Sequence, residues 1–161
     1  MGIQDKSKEE LIAELQELQR ENESLKAFYN TSINELRQSE RVLQDIIAKN
    51  PMSIQIIDKD GFTLLINSAH TKLFGAVPPN NYSVFTDPLL HRNGFSEYLR
   101  RAKAGEVILF PDFYYNVHEL FPEFADVPVW IRMIIFPLYD RQGKPERYVL
   151  MHENISDRKL S

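Results

Sequence analysis

The chain has 161 residues, 43% hydrophobic and 26% charged, with a formal net charge of −4, which bounds it as one globular domain with room for an appendage. The negative balance argues against nucleic acid and against an anionic membrane surface as partners. There is no cysteine, which excludes disulfides, thiolate-bound zinc and thiol nucleophiles.

No apolar run is long enough to span a bilayer, and the opening "MGIQDKSKEE" lacks an apolar signal core, so the expected location is the cytoplasm. Residues 1–6 are expected to be a disordered N-terminus. Residues 7–49 contain no Pro and no Gly, whereas 50–161 contain all nine prolines and five of the six glycines. This contrast predicts a helical arm over 7–49 and a compact domain over 50–154. Residues 155–161 are expected to be an exit linker to an output region.

The arm opens with a capping box, Ser7 with Glu10. Leu11, Leu15, Leu18 and Leu25 then recur at coiled-coil spacing, with Asn22 in the remaining seam position. In heptads, Leu15 and Asn22 take a, and Leu11, Leu18 and Leu25 take d. A single Asn at a costs stability and favours a parallel, in-register dimer. The rest of the helix surface is largely charged, so a homodimer through this helix is expected over packing on the chain's own domain. The seam falters at Tyr29, Ser32 and Ser39, and "YNTS" is poor helix material. Either one helix of about 60 Å runs on at 1.5 Å per residue, or a kink near Asn30 starts a second.

After Pro51 the pattern changes to strands. "SIQIID" and "FTLLIN" flank Asp60-Gly61 and predict a hairpin. Asn67 or Ser68 caps a helix over "SAHTKLFG", with Gly75 at its C-terminal turn. Short helical pieces fit "YSVFTDPLLHRN", and "GFSEYLRRAKAGE" reads as a helix closed by Gly105. "VILFPDFYYNVHEL" is strand-like but interrupted by Pro111, so it bulges or lies at an edge. "VPVWIRMIIFPLYD" and "PERYVLMHENI" are joined by "DRQG" as a second hairpin. Strands and helices in this order predict an antiparallel sheet with helices over one face, able to enclose a small-molecule cavity.

These segments, over roughly residues 36–159, resemble the PAS domain family in its bacterial sensory form. The stretch "LRQSERVLQDIIAKNPMSIQIIDKDGFTLLINSAHTKLFG" is similar to the family's opening. There a helix, a first strand, Asp-x-x-Gly, a second strand ending in Asn and a short helix ending in Gly follow one another. "YSVFTDPLLHRNGFSEYLRRAKAGE" is similar to the middle helices of a subgroup found beside histidine kinases, and "GKPERYVLMHENISDRK" to the last strand and exit. The resemblance implies an α+β fold: a five-stranded antiparallel sheet, short helices over one face and a cavity between. Before it stands the long coiled-coil helix. It implies a sensory, non-enzymatic module that binds a small molecule or partner and signals through flanking helices. The implied partner is a downstream output domain or signalling protein of the histidine kinase type. The alternative is a ligandless dimerisation scaffold.

At the exit the family carries Asp-Ile-Thr, and this chain carries Asn154-Ile155-Ser156-Asp157-Arg158. The carboxylate that often pairs with a basic residue at that boundary is absent from position 154. The flavin photosensors of the family need a reactive cysteine, which is missing here. Haem would need a histidine near the long helix, and His91 is the candidate. Its setting, Leu90-His91-Arg92-Asn93, is polar and favours solvation, so no cofactor is expected. His70, His91, His118 and His152 have no metal-binding spacing, and no metal is expected. "VHELFPE" resembles a phosphoacceptor box, but it follows a strand and its Pro122 falls one place early.

Trp130, Arg132 and Phe136 share one face of a strand. If that face turns inward, Arg132 holds an anionic ligand against an apolar wall. The opposite face, Val129, Ile131, Met133 and Ile135, is fully apolar, which favours it as core instead. His152 on the last strand is a further candidate ligand contact.

Overall fold

The computed structural model describes residues 7–160. The expected disordered N-terminus, residues 1–6, lies outside the described residues. Contacts divide the chain into two compact units, one reaching to Gln44 and one starting at Asp45.

Helix α1 is continuous over Lys8–Lys49, so the chain does not restart near Asn30. Ser7 Oγ accepts the Glu10 amide at 3.1 Å, satisfying one of the donors that a helix start leaves unpaired. None of its 42 residues is buried. Leu15, Leu18 and Leu25 are exposed, as is Asn22, and Leu11 is half-buried.

The second unit begins with the hairpin β1 (Ser53–Asp58) and β2 (Thr63–Ile66). Gly61 turns it at φ 95°, a left-handed value that disfavours any side chain. Helix α2 (Ser68–Phe74) follows, capped by Asn67 and ended by Gly75. A 3-10 turn, α3 (Pro88–Arg92) and α4 (Ser96–Lys103) complete the helical layer. Asp87 caps α3, accepting the amides of Leu89 and Leu90.

Strands β3 (Ile108–Leu109), β4 (Phe113–Tyr115), β5 (Val129–Tyr139) and β6 (Pro145–Asn154) close the sheet. Its order is β2-β1-β6-β5-β3, with β4 also on β5, and every pairing is antiparallel. The sheet has six strands rather than five because the run around Pro111 pairs with β5 in two pieces. A proline has no amide to donate, so the ladder breaks there. The last residues form a short helix, α5 (Ser156–Leu160).

The core lies between the sheet and the helical layer. Ile131, Met133 and Ile135 of β5 face it with Tyr148 and Leu150 of β6, against Phe85, Leu90, Phe95 and Leu99. The alternation along β5 therefore sends Trp130, Arg132 and Phe136 to the other face.

Candidate functional site

A cavity of about 50 Å³ opens between the sheet and the loops before α3 and after β4. One water occupies about 30 Å³ of liquid and ligand pockets start near 300 Å³, so the cavity is nearly filled by its own side chains. Three elements supply its polar wall. On α2, His70, Leu73 and Phe74 are the buried residues, the i, i+3, i+4 set that one helix face presents. On β6, Tyr148, Leu150 and His152 alternate inward. On β1, Gln55 lies between the inward Ser53 and Ile57.

The rings pack edge to face except for His70 on Phe74, which is tilted at 49°. Phe74 stands 5.1 Å from His152 at 90° and 5.6 Å from Tyr115 at 78°. His70 is 4.7 Å from Phe74 and 5.7 Å from His152. Burial lowers the His70 pKa to about 4. Burial, and then the neighbouring His70, holds His152 well below the usual histidine value. Both rings are therefore neutral at pH 7.

Each histidine is tied to a chain terminus of the domain. Ser53 Oγ and His152 Nδ1 are hydrogen-bonded at 3.0 Å, which joins the cavity wall to the start of β1. His70 sits on a helix whose cap, Asn67, is 5% exposed and fully engaged. Asn67 Oδ1 accepts the amides of Ile54 and His70 at 3.0 and 3.1 Å. Its Nδ2 donates to the carbonyls of Ile47, at the end of α1, and Met52, both at 2.9 Å.

A second polar knot closes the other end of the cavity. Asp87 is 1% exposed. Its Oδ2 accepts from Tyr82 and Tyr115 at 2.5 and 2.6 Å, while its Oδ1 accepts the α3 amides at 2.7 and 3.3 Å. Burial raises both tyrosine pKa values, so both hydroxyls remain donors. Tyr82 lies on the loop after α2 and faces Phe121 of the loop after β4, with ring centroids 6.3 Å apart. The same loops meet at Gly75, whose missing side chain leaves room for Val127.

Of the residues proposed from the sequence as ligand contacts, only His152 reaches the cavity. Arg132 is exposed on the opposite face, where its Nε donates to Asp112 at 3.3 Å. That bond holds the Asp112 carboxyl below its ordinary pKa. The reading of Arg132, Trp130 and Phe136 as a ligand wall is thus corrected: the helical layer covers the all-apolar face of β5 instead. Trp130 and Arg132 sit beside the exit. The Trp130 carbonyl accepts from Ile155 at 2.9 Å, and its amide donates to Ser156 Oγ at 3.0 Å. Lys159 stands 5.2 Å over the Trp130 ring and 3.5 Å from Asp112. Ser156 donates its amide to Asn154 Oδ1 at 3.0 Å, Ile155 is 2% exposed, and Arg158 pairs with Glu153 at 3.0 Å. Asp157 lies in the first turn of α5.

His91 does not line the cavity. Its Nε2 donates to the Phe85 carbonyl at 2.8 Å and its Nδ1 bonds Ser96 Oγ at 2.6 Å, leaving neither nitrogen for haem iron. His118 lies in a 3-10 turn and donates to the Phe124 carbonyl at 2.8 Å. Among the described residues no cluster of three metal-ligating side chains occurs. Among them, too, no helix is long and apolar enough to cross a membrane.

An antiparallel sheet cupped by short helices around a closable cavity defines a class of small α+β cavity domains. Comparison with solved structures makes it specific: the chain has the PAS fold. It is similar to the PAS domain of an HTR-like protein from Haloarcula marismortui, at 15% identity and a TM-score of 0.57, over 78% of this chain and 99% of that one. The PAS domain of Bordetella pertussis BvgS matches at 20% identity and a TM-score of 0.52, over 76% and 90%. A domain of a sensory box sensor histidine kinase/response regulator from Geobacter sulfurreducens matches at 13% identity and 0.55, over 74% and 96%. No family model matches the sequence, and no curated protein does.

Proposed function

We propose that this chain is a non-enzymatic sensory module that takes up a small molecule in its cavity and relays the change through its flanking segments. One arrangement carries the reading: each buried histidine of the cavity is linked by hydrogen bonds to a terminus of the domain, His152 directly and His70 through Asn67. His152 bonds Ser53 at the start of β1 and lies two residues before Asn154. His70 rides on the helix whose cap bonds the Ile47 carbonyl in α1. A ligand that moves either ring has differential contacts with two states of the flanking segments, which a conformational signal requires.

In this reading residues 7–49 are a dimerising arm, 50–154 the sensor and 155–161 the linker to an output. The arm self-associates in parallel through Leu11, Leu15, Leu18, Asn22 and Leu25. The signal leaves through Asn154, Ile155, Ser156, Asp157 and Arg158. The likeness to a domain of a sensor histidine kinase supports an output, or a partner signalling protein, of that type, and the location proposed for it is the cytoplasm.

The volume of about 50 Å³ favours a second reading, a ligandless scaffold whose core is filled by its own side chains. Mass spectrometry of molecules released from purified protein separates the two. Spin-label distances across the arm, taken before and after adding the released molecule, test the relay. A copurifying molecule that shifts those distances supports the sensor. Repeated emptiness, with unchanged distances across a ligand panel, supports the scaffold.

A further inference from the structure

The cavity carries information about the charge and shape of what it admits. Among the described residues that line it, none is Lys, Arg, Asp or Glu. Asp87, bonded to the lining residues Tyr82 and Tyr115, is capped by their two hydroxyls and two amides. Both histidines are held neutral by burial. A buried ion needs a counter-charge or several oriented donors, and this lining offers no counter-charge to an anion. A cation finds no free carboxylate.

One residue of the lining carries an unmet hydrogen bond. His70 is 3% exposed, and its buried Nδ1 has no partner. The other side chains of that wall are engaged: His152 with Ser53, and Gln55 with Thr63 at 2.8 Å. Buried polar atoms are rarely left unpaired in folded proteins, so an orphan at a cavity wall marks where a partner belongs. The same cavity is lined by Phe74, Phe113, Tyr115, Tyr82, Phe121 and Phe124. Edge-to-face packing among such rings leaves flat slots that suit another ring.

Space must be made for it. An apolar cavity of about 150 Å³ takes up benzene, and this one is about 50 Å³. The two loops meet at one ring pair and at Gly75 with Val127. Tyr82 is anchored by its hydroxyl to Asp87 at 2.5 Å and touches Phe121 edge to face. Val77, also on the wall, is 58% exposed, so the loop carrying it is thinly covered.

We infer that the cavity takes an uncharged aromatic molecule with one hydrogen-bonding group, held at that group by His70 Nδ1 and admitted when the Tyr82 loop parts from Phe121. This rests on the sensor reading above and names the ligand class for it.

The test is titration calorimetry of the full chain with three matched pairs: phenol and benzoate, 2-naphthol and 2-naphthoate, indole and tryptamine. Binding of the neutral member, at least tenfold tighter than its charged counterpart, is expected. In wild-type protein the His70 ring nitrogen should shift in the 15N spectrum on binding, a readout that needs no variant. His70→Leu should weaken binding at least tenfold, and His70→Asn, which restores a hydrogen-bonding group, should recover most of it. Tyr82→Phe should speed association by loosening the loop. A charged member binding as tightly as the neutral one, or an unmoved His70 nitrogen, overturns the inference and leaves a sensor of another ligand class. No binding by any of the six, together with no molecule released from the purified protein, overturns both.

Discussion

Helix α1 and the sheet domain solve the problem of burial in opposite ways. Over its 42 residues α1 buries no side chain, and Leu15, Leu18, Leu25 and Phe28 are each more than half exposed. The domain buries Ile57, Ile131, Ile135 and Ala102 completely, at 0% exposure. An isolated helix gains little beyond its backbone hydrogen bonds, because helical stability in proteins comes mostly from a packed face. The domain carries its own packed face and needs none supplied. The difference is what the proposed division of work rests on: an arm whose apolar side chains a second helix would cover, and a domain whose core is already covered.

The comparison can be broken from the domain side first. Ile131→Ala removes a fully buried side chain and should cost about 4 kcal/mol of domain stability, read by urea unfolding. Acid comes next. His70 is depressed from 6.5 to about 4 in the folded state, and His152 is lowered too. The folded state therefore binds fewer protons than the unfolded state between those values. Stability is complete above pH 6.5 and falls as pH drops toward about 4, by up to about 3 kcal/mol for His70. Urea midpoints measured across that range check it, and His70→Phe should flatten the fall.

Asn67→Ala removes a helix cap and leaves buried carbonyls without their donor, for about 2 kcal/mol. A backbone amide exchange measurement should also show faster exchange in α2 and in residues 45–49. The smallest effect on the domain should come from the arm. Leu18→Asp should leave domain unfolding unchanged while abolishing self-association in sedimentation. A domain that unfolds more easily in that variant would show that the two regions do not separate as their burial suggests.

Much of the fold was legible because its signals are local. Asn67 and Gly75 bracket α2, Gly61 turns the first hairpin, and Pro111 interrupts a strand. Caps, positive φ angles and missing amides are properties of a few adjacent residues. The sixth strand was not anticipated, because whether the chain resumes pairing after a break depends on β5, which lies later in the sequence.

The site was less legible. His152, a candidate ligand contact, lies on the cavity wall, whereas Trp130, Arg132 and Phe136 were candidates for a face that turned out to be the outer one. Both faces of β5 are rich in apolar residues, so alternation alone cannot tell which is covered. His70 was the missed residue. Its spacing from Leu73 and Phe74 marked the buried face of α2. Read along the chain, it was only one of four scattered histidines.

By itself the sequence determined most of the elements and their turns, and the contrast between a proline-free stretch and a proline-bearing one. It also determined the charge balance and the absence of thiol chemistry. Only the tertiary structure decided which face of β5 met the helices and which two of four histidines met each other. It alone decided that Asp87 would be the shared acceptor of Tyr82 and Tyr115. The physical reason is range. Backbone preferences act over a few residues, whereas the burial that neutralises a histidine pair is created by strands and helices distant in sequence.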